Sequence, residues 1–252
     1  MIGPMSGDKG LHRVKVGCCG FPHGMKDYFS QFKLVEVQRT FYKMPRLKTA
    51  LRWRREAPAD FEFTLKAWQL ITHPPTSPTY RKAGIKVASG AEEHYGFFKP
   101  GDEVQEAWEE TRRFAQALEA KLIVFQCPPS FKETPENIDN MRRFFKSVKD
   151  SGFLFAWEPR GGWTKQTIKA LCSELKLIHC IDPMEKEPLY GKLQYFRLHG
   201  GPRYQHRYSK EELKHLKDKI RDKESYVLFN NLNMYHDALT FDRLMKGEEG
   251  EF

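Results

Sequence analysis

Leu193-Gln194-Tyr195-Phe196-Arg197-Leu198-His199-Gly200-Gly201 reads as one strand that ends in chemistry. Successive strand side chains point to opposite faces, so Tyr195, Arg197 and His199 share one face and Gln194, Phe196 and Leu198 the other. A guanidinium and an imidazole arrive together just ahead of two glycines, where the backbone can turn sharply and approach a ligand closely. Alone, an Arg or His at a strand end is an ordinary structural residue. It gains weight here because other strand-like runs also end in polar or ionisable side chains.

Working outward, further runs of this kind are 14–20, 34–40, 61–66, 122–127, 153–158, 177–182 and 225–231. The second sets Glu36, Gln38 and Thr40 on one face by alternation. Helical spacing lies between most of the runs. Pro45 starts a helix carrying Leu47, Ala50 and Leu51, and Asp102 with Gln105 opens one whose apolar stripe runs from Val104 through Trp108 to Leu118. Thr134-Pro135 is a cap followed by a first-turn proline, Thr164 caps another helix, Ser209 with Glu212 forms a capping box, and Tyr235 to Met245 is the last helix. The 68–101 segment, with its prolines and the aromatics Tyr80, Tyr95, Phe97 and Phe98, is irregular, which points to either a functional lid or disorder, and short helices are expected within it. The connection from the sixth strand to the seventh, through Pro183 and Pro188, has little helical character.

Strands alternating with helices in 252 residues predict an α/β fold, a TIM (β/α)8-type barrel in a single domain over 13–246. Residues 1–12 are expected to be poorly ordered and 247–252 to form a tail. The competing doubly wound sheet lacks its fingerprint, since Gly17-Cys18-Cys19-Gly20-Phe21 is not G-x-G-x-x-G. A barrel collects its catalytic groups at the C-terminal strand ends.

Composition narrows the setting. No run of about 18 apolar residues is present, so no membrane span is expected, and Met1 to Gly10 lacks the apolar core of a secretory signal, which points to the cytoplasm. Five cysteines without paired zinc-ribbon spacing read as reduced, buried thiols. A formal net charge of +9 favours polyanionic partners, although a merely charge-rich surface reads the same way.

The blocks Val35-Glu36-Val37-Gln38-Arg39-Thr40-Phe41-Tyr42, Phe61 to Lys66 with Thr72-His73, Phe125-Gln126-Cys127-Pro128-Pro129-Ser130-Phe131, Trp157-Glu158-Pro159-Arg160 with Trp163, Asp182, Tyr195 to Gly200, Tyr208-Ser209 and Phe229-Asn230-Asn231 run in order through nearly the whole chain. Together they resemble the YecE-like TIM-barrel family, domain of unknown function 72. The resemblance implies a TIM barrel with an open-face site drawing on Glu36, Lys66, Gln126, Glu158, Arg160, Asp182, Arg197, His199 and Asn230, and it implies no reaction. The chain departs from the family's pattern at Cys18-Cys19, where Thr-Ser is expected, at Phe21-Pro22, where a Trp is expected, and at Gln38, where an Asn is expected.

Glu158 and Asp182 are the candidate catalytic carboxylates, because two carboxylates flanking a sugar are the usual apparatus of glycosidic cleavage. A salt bridge from Glu158 to Arg160 or Arg197 is the structural alternative. His199 is a candidate proton shuttle. Lys66 is the fourth candidate, either as a desolvated Schiff-base amine or as a phosphate-binding or structural ammonium. Glu36, Gln38, His73, Gln126, Arg160, Arg197, Tyr204, Asn230 and Asn231 are candidate substrate-binding groups. His73, His199, Glu158 and Asp182 could meet around a metal, but no H-E-x-x-H spacing is present, and neither metal nor cofactor is assigned. The leading expectation is a nucleic-acid-directed hydrolase that cleaves an N-glycosidic bond, such as a DNA glycosylase removing damaged bases. Its partner would be DNA on a basic surface, with aromatics stacking an extruded base. The alternatives are a hydrolase or isomerase of a phosphorylated sugar and a non-catalytic nucleic-acid-binding barrel.

Overall fold

A computed structural model describes residues 13–248. The expectations for 1–12 and for the tail from 249 onward fall outside the described residues. The chain runs β1 (Val14–Cys18), α1 (Met25–Gln31), β2 (Leu34–Val37), α2 (Arg39–Tyr42), α3 (Leu47–Glu56), β3 (Glu62–Lys66), α4 (Gln69–Thr72), α5 (Pro78–Ala83) and a 3-10 turn (Glu92–His94). It continues with α6 (Asp102–Leu118), β4 (Leu122–Gln126), α7 (Pro135–Val148), β5 (Leu154–Glu158), α8 (Lys165–Leu175), β6 (Ile178–Ile181), β7 (Gln194–Leu198), α9 (Lys210–Asp218), β8 (Ser225–Phe229) and α10 (Met234–Lys246). The strands close in sequence order into a barrel of eight parallel strands, β8 pairing back onto β1. The predicted TIM-type barrel is therefore the fold, with the β6–β7 connection free of helix as the prolines imply.

Strand alternation sorts the core into two layers. Leu122 and Val124 of β4, Tyr195 of β7 and Tyr226 of β8 point into the barrel, while Ile123, Phe125, Phe196 and Leu198 point outward under the helices. Register places Gln126 beside Glu158 and Leu198 beside Phe229, so the C-terminal strand ends open on one face. Outside the strands, Trp108 of α6 lies edge-on to Phe144 of α7 and to Phe155 of β5, with ring centroids 5.9 and 5.8 Å apart. All the stripe residues read for α6 are buried.

Several expectations are corrected. β2 stops at Val37, and Gln38 and Thr40 belong to the entry into α2 rather than to the strand. The Thr40 hydroxyl instead donates to the Lys66 carbonyl at 2.6 Å, a bond that ends the strand and folds α2 against β3. On α3, Leu47 and Leu51 are 48% and 55% exposed while Ala50 and Trp53 face the core, because the helix turns its indole inward. Asp102 is the first helical residue and not a side-chain cap, so its carboxylate acts there through the helix dipole. The 68–101 segment does hold short helices, but it is not an open aromatic lid. Its backbone is pinned by Gly96 N–H to Leu70 O and Phe98 N–H to Ile71 O, and Tyr80 and Phe98 are buried. Gly96 (φ +76°) is required at this crossing, since a Cβ would lie 2.4 Å from the His73 carbonyl oxygen.

The outer aromatic layer is expected to dominate stability. Trp108→Ala should cost roughly 3–5 kcal/mol in urea unfolding, and a loss below about 1 kcal/mol would show that the α6–α7 layer is not part of the cooperative core.

Candidate active site

The mouth is organised by Arg197, which projects from β7 into the barrel and is completely buried. Its NH2 lies 2.9 Å from Glu36 Oε1. Its NH1 donates to Glu158 Oε2 and, at 3.1 Å, to Gln126 Oε1. Glu36 is finished from its other side by the Tyr195 hydroxyl at 2.8 Å and by the Gln38 amide. Glu158 receives Arg160 Nε on Oε1 at 2.7 Å, with the Cys180 thiol 3.8 Å from Oε2. Burial works to raise the Glu158 pKa, but Arg197, Arg160 and His199 together outweigh it and hold the carboxyl well below the usual range. Glu158 is therefore an anion in the folded protein.

His199 stands above this pair at the end of β7. Its Nε2 is 2.8 Å from Arg160 NH2 and 3.2 Å from Glu158 Oε1, and its Nδ1 is 3.0 Å from the Asn230 amide nitrogen. Arginine only donates, so the shorter contact gives the Nε2 lone pair to Arg160. That tautomer puts the proton on Nδ1 and needs the Asn230 amide turned to offer its oxygen, whereas the amide nitrogen that stands 3.0 Å from Nδ1 matches a proton on Nε2. A proton on Nε2 would face Glu158 instead, so one rotation or one proton moves the ring between a cation and an anion.

Asp182, at the end of β6, spends both oxygens on backbone: Oδ1 accepts from Met184 N–H at 3.0 Å and Oδ2 from His199 N–H at 2.8 Å. It thus fixes the place where the imidazole leaves the strand. Lys66, at the end of β3, is buried with its nitrogen 3.5 Å from the centroid of the Phe41 ring. Burial, then Arg197, lower its ammonium to about 7 against the pull of Glu158 and Glu36. His73 lies against the other side of that neighbourhood, its ring 4.9 Å from Phe41 and its Nδ1 2.8 Å from the Thr72 hydroxyl. Burial, with Lys66 and Arg160 adding to it, lowers His73 to about 3, so it is neutral.

A pocket of about 340 Å³ opens over this network, lined by Glu158, Arg160, Asp182, His199 and Tyr204 among the predicted residues. Glu36 and Arg197 lie sealed beneath it and bind each other rather than a ligand, which corrects their reading as substrate-binding groups. Asn231 is also turned away. Its amide donates to Asp237 Oδ2 and to the His206 carbonyl, which ties the β8 exit to α10 and the loop after β7. Gly200 N–H donates to the Tyr208 hydroxyl at 3.0 Å, and Tyr204, 40% exposed with its ring 6.0 Å from His199, stands on the rim. Sequence reasoning missed His179 and Lys186, which also line the pocket. His179 lies mid-strand in an apolar run, and Lys186 is one lysine among many, so neither carried a signal. The five cysteines are free and buried as expected, but they divide: Cys19 and Cys180 face Glu36 and Glu158 inside the barrel, while Cys18, Cys127 and Cys172 belong to the outer layer of the core. His73, His199, Glu158 and Asp182 do not converge, and among the described residues no three His, Cys, Asp or Glu side chains are grouped to hold a metal ion.

A family model described as "Protein of unknown function DUF72" matches residues 20–250. The chain belongs to the DUF72 family. It is 22% identical over 241 residues to the UPF0759 protein YunF of Bacillus subtilis (strain 168), covering 82% of this chain and 80% of that protein. Among solved structures it is similar to a DUF72 family protein from Enterococcus faecalis V583, with a TM-score of 0.70, 19% identity, and coverage of 92% of this chain and 97% of that one. It is also similar to 3-keto-D-glucoside 4-epimerase from E. coli, with a TM-score of 0.55, 13% identity, and 93% and 99% coverage. No helix among the described residues is long and apolar enough to cross a membrane.

For this DUF72 barrel the ion network predicts an acid-sensitive fold. A carboxylate whose folded pKa is depressed contributes stability above its unfolded pKa, about 4.3 for Glu, and loses it as pH falls through the folded value. The wild type should therefore lose stability below about pH 4 more steeply than Glu158→Gln, as followed by thermal unfolding across pH. Arg197→Met, which strands two buried anions, should cost about 3–5 kcal/mol at neutral pH. Equal acid slopes in wild type and Glu158→Gln would remove Glu158 from the acid-labile set.

Proposed function

We propose that the mouth is the site of a proton-transfer enzyme, an isomerase or epimerase acting on a phosphorylated sugar. The observation that carries this reading is the state of the two carboxylates. Glycosidic cleavage by paired carboxyls needs one of them protonated, to assist the leaving group. Glu158 is ionised between Arg197 and Arg160, and Asp182 has both oxygens on backbone N–H groups. Of the remaining candidates, Lys66 is brought to about 7 by its surroundings, and the His199 imidazole lines the pocket.

A base near neutrality that removes a proton from the carbon beside a carbonyl, and an acid that returns one, suffice for isomerisation or epimerisation. His199 lines the pocket, and its Nδ1 and Nε2 face an amide and a guanidinium that can hold either tautomer. Arg160 spends Nε and NH2 inward and leaves NH1 without a hydrogen bond, and Lys186 lines the same pocket. Those two cations suit a phosphate, and the pocket's size suits a small sugar. That a sugar epimerase shares the barrel fold agrees with the proposal.

Removal of a damaged base from DNA is the second reading, favoured by Tyr204, whose exposed ring beside His199 offers a stacking surface, and by the +9 charge. The two separate on ligand size and salt. Phosphorylated ketoses and aldoses are expected to bind and to take up deuterium from D2O beside the carbonyl, read by NMR. His199→Asn should slow the exchange roughly a hundredfold or more, and Arg160→Ala should weaken binding roughly ten- to a hundredfold. Salt-sensitive binding of oligonucleotides with neither sugar binding nor exchange would replace the proposal with the nucleic-acid reading.

A further inference from the structure

Lys66 is the one candidate whose chemistry the reading above leaves half used. It ends β3 on the interior face that also carries Thr64, and its main-chain carbonyl is locked by the Thr40 hydroxyl at 2.6 Å. The side chain is buried, yet its nitrogen makes no hydrogen bond. Lys66 is not among the residues that line the 340 Å³ pocket, but Glu158 and Arg160, which do line it, are among the charges that act on its amine. A lysine used for structure at such a depth would be expected to donate to a carboxylate or carbonyl. This one instead lies over the face of Phe41, with Arg197 and Arg160 opposing its charge and Glu158 and Glu36 favouring it.

We propose that Lys66 is a covalent catalytic residue whose amine forms a Schiff base with the carbonyl carbon of an oxo-sugar or its phosphate. The neutral amine adds to the carbonyl carbon to give a carbinolamine. That intermediate takes up a proton at oxygen and loses water, leaving the imine nitrogen bonded to Lys66 Cε. Protonated, the imine carries one positive charge where the ammonium carried one, so the Glu36 and Glu158 anions that face the site are balanced before and after the step. The iminium acidifies the neighbouring C–H, which is the bond an isomerase must break. The charged and titratable groups facing the amine are Arg197 from β7, Glu158 and Arg160 from the end of β5, and Glu36 from β2; His73, after α4, is neutral. With its ammonium brought to about 7, Lys66 is half neutral at pH 7, whereas an ordinary lysine near 10.4 is almost wholly charged.

The inference rests on the mouth taking a carbonyl substrate, and the test is built so that the two can fail separately. The intact chain is incubated at pH 7 with glyceraldehyde 3-phosphate or unphosphorylated glyceraldehyde and sodium cyanoborohydride, and modified peptides are mapped by mass spectrometry. Lys66 should be labelled roughly a hundredfold or more faster than any other lysine, with a labelling midpoint near the same pH. Lys66→Met, shown folded by its thermal transition, should lose that adduct alone. Labelling by glyceraldehyde without binding of any sugar phosphate supports the Schiff base and sinks only the phosphate reading. Labelling spread over surface lysines with Lys66 untouched overturns the proposal, even where sugar phosphates bind.

Discussion

A guanidinium with no access to water sits at the centre of this barrel, and most of the mouth follows from it. Moving such a charge out of water costs several kcal/mol unless anions and hydrogen bonds surround it. Arg197 meets that requirement with Glu36 from β2 and Glu158 from β5, so three strands are tied through the barrel interior. Each carboxylate then needs further donors, which come from Tyr195, Gln38 and Arg160. An apolar filling would pack the same space at less electrostatic cost. A charged one sets the field in which everything above it titrates.

That field separates the ionisable groups by depth. Glu158 stays an anion although burial opposes it, because two guanidiniums outweigh the lost hydration. Lys66 and His73 are pushed the other way, first by burial and then by Arg197 and Arg160 for the amine and by Lys66 and Arg160 for the imidazole, so the imidazole is neutral and the amine only partly charged while Glu158 keeps its charge. Titratable groups whose environments drive them apart are the raw material of acid–base catalysis. Asp182 contributes differently: by accepting from the His199 backbone it orients the imidazole.

Much of the fold was legible because alternation and helical spacing are local. The strand runs, the α6 stripe, the Thr134 and Thr164 caps and the Ser209–Glu212 box all stand where the residues place them. Errors arose where tertiary contacts overrode local preference. The Thr40 bond to Lys66 O cut β2 short at Val37, and the aromatics of the 68–101 segment found Phe125, Phe131 and Phe144 to pack on instead of standing over the mouth. For the site, residue types at strand ends identified its members but not their depth. Arg197 and His199 share a face two residues apart, yet one is sealed among carboxylates and the other lines the pocket.

The sequence by itself determined a parallel barrel and which strand ends carry polar groups, since both depend on side-chain periodicity along a single strand. Only the tertiary structure decided that Glu36 and Glu158 share Arg197, that Asn231 serves Asp237, and that Lys66 lies over Phe41 without a hydrogen bond. Those pairings join residues far apart in the chain, and register, strand tilt and burial fix them. A carboxylate's or amine's charge depends on what water it has lost and which charges replaced it, and neither is written in the spacing of one strand.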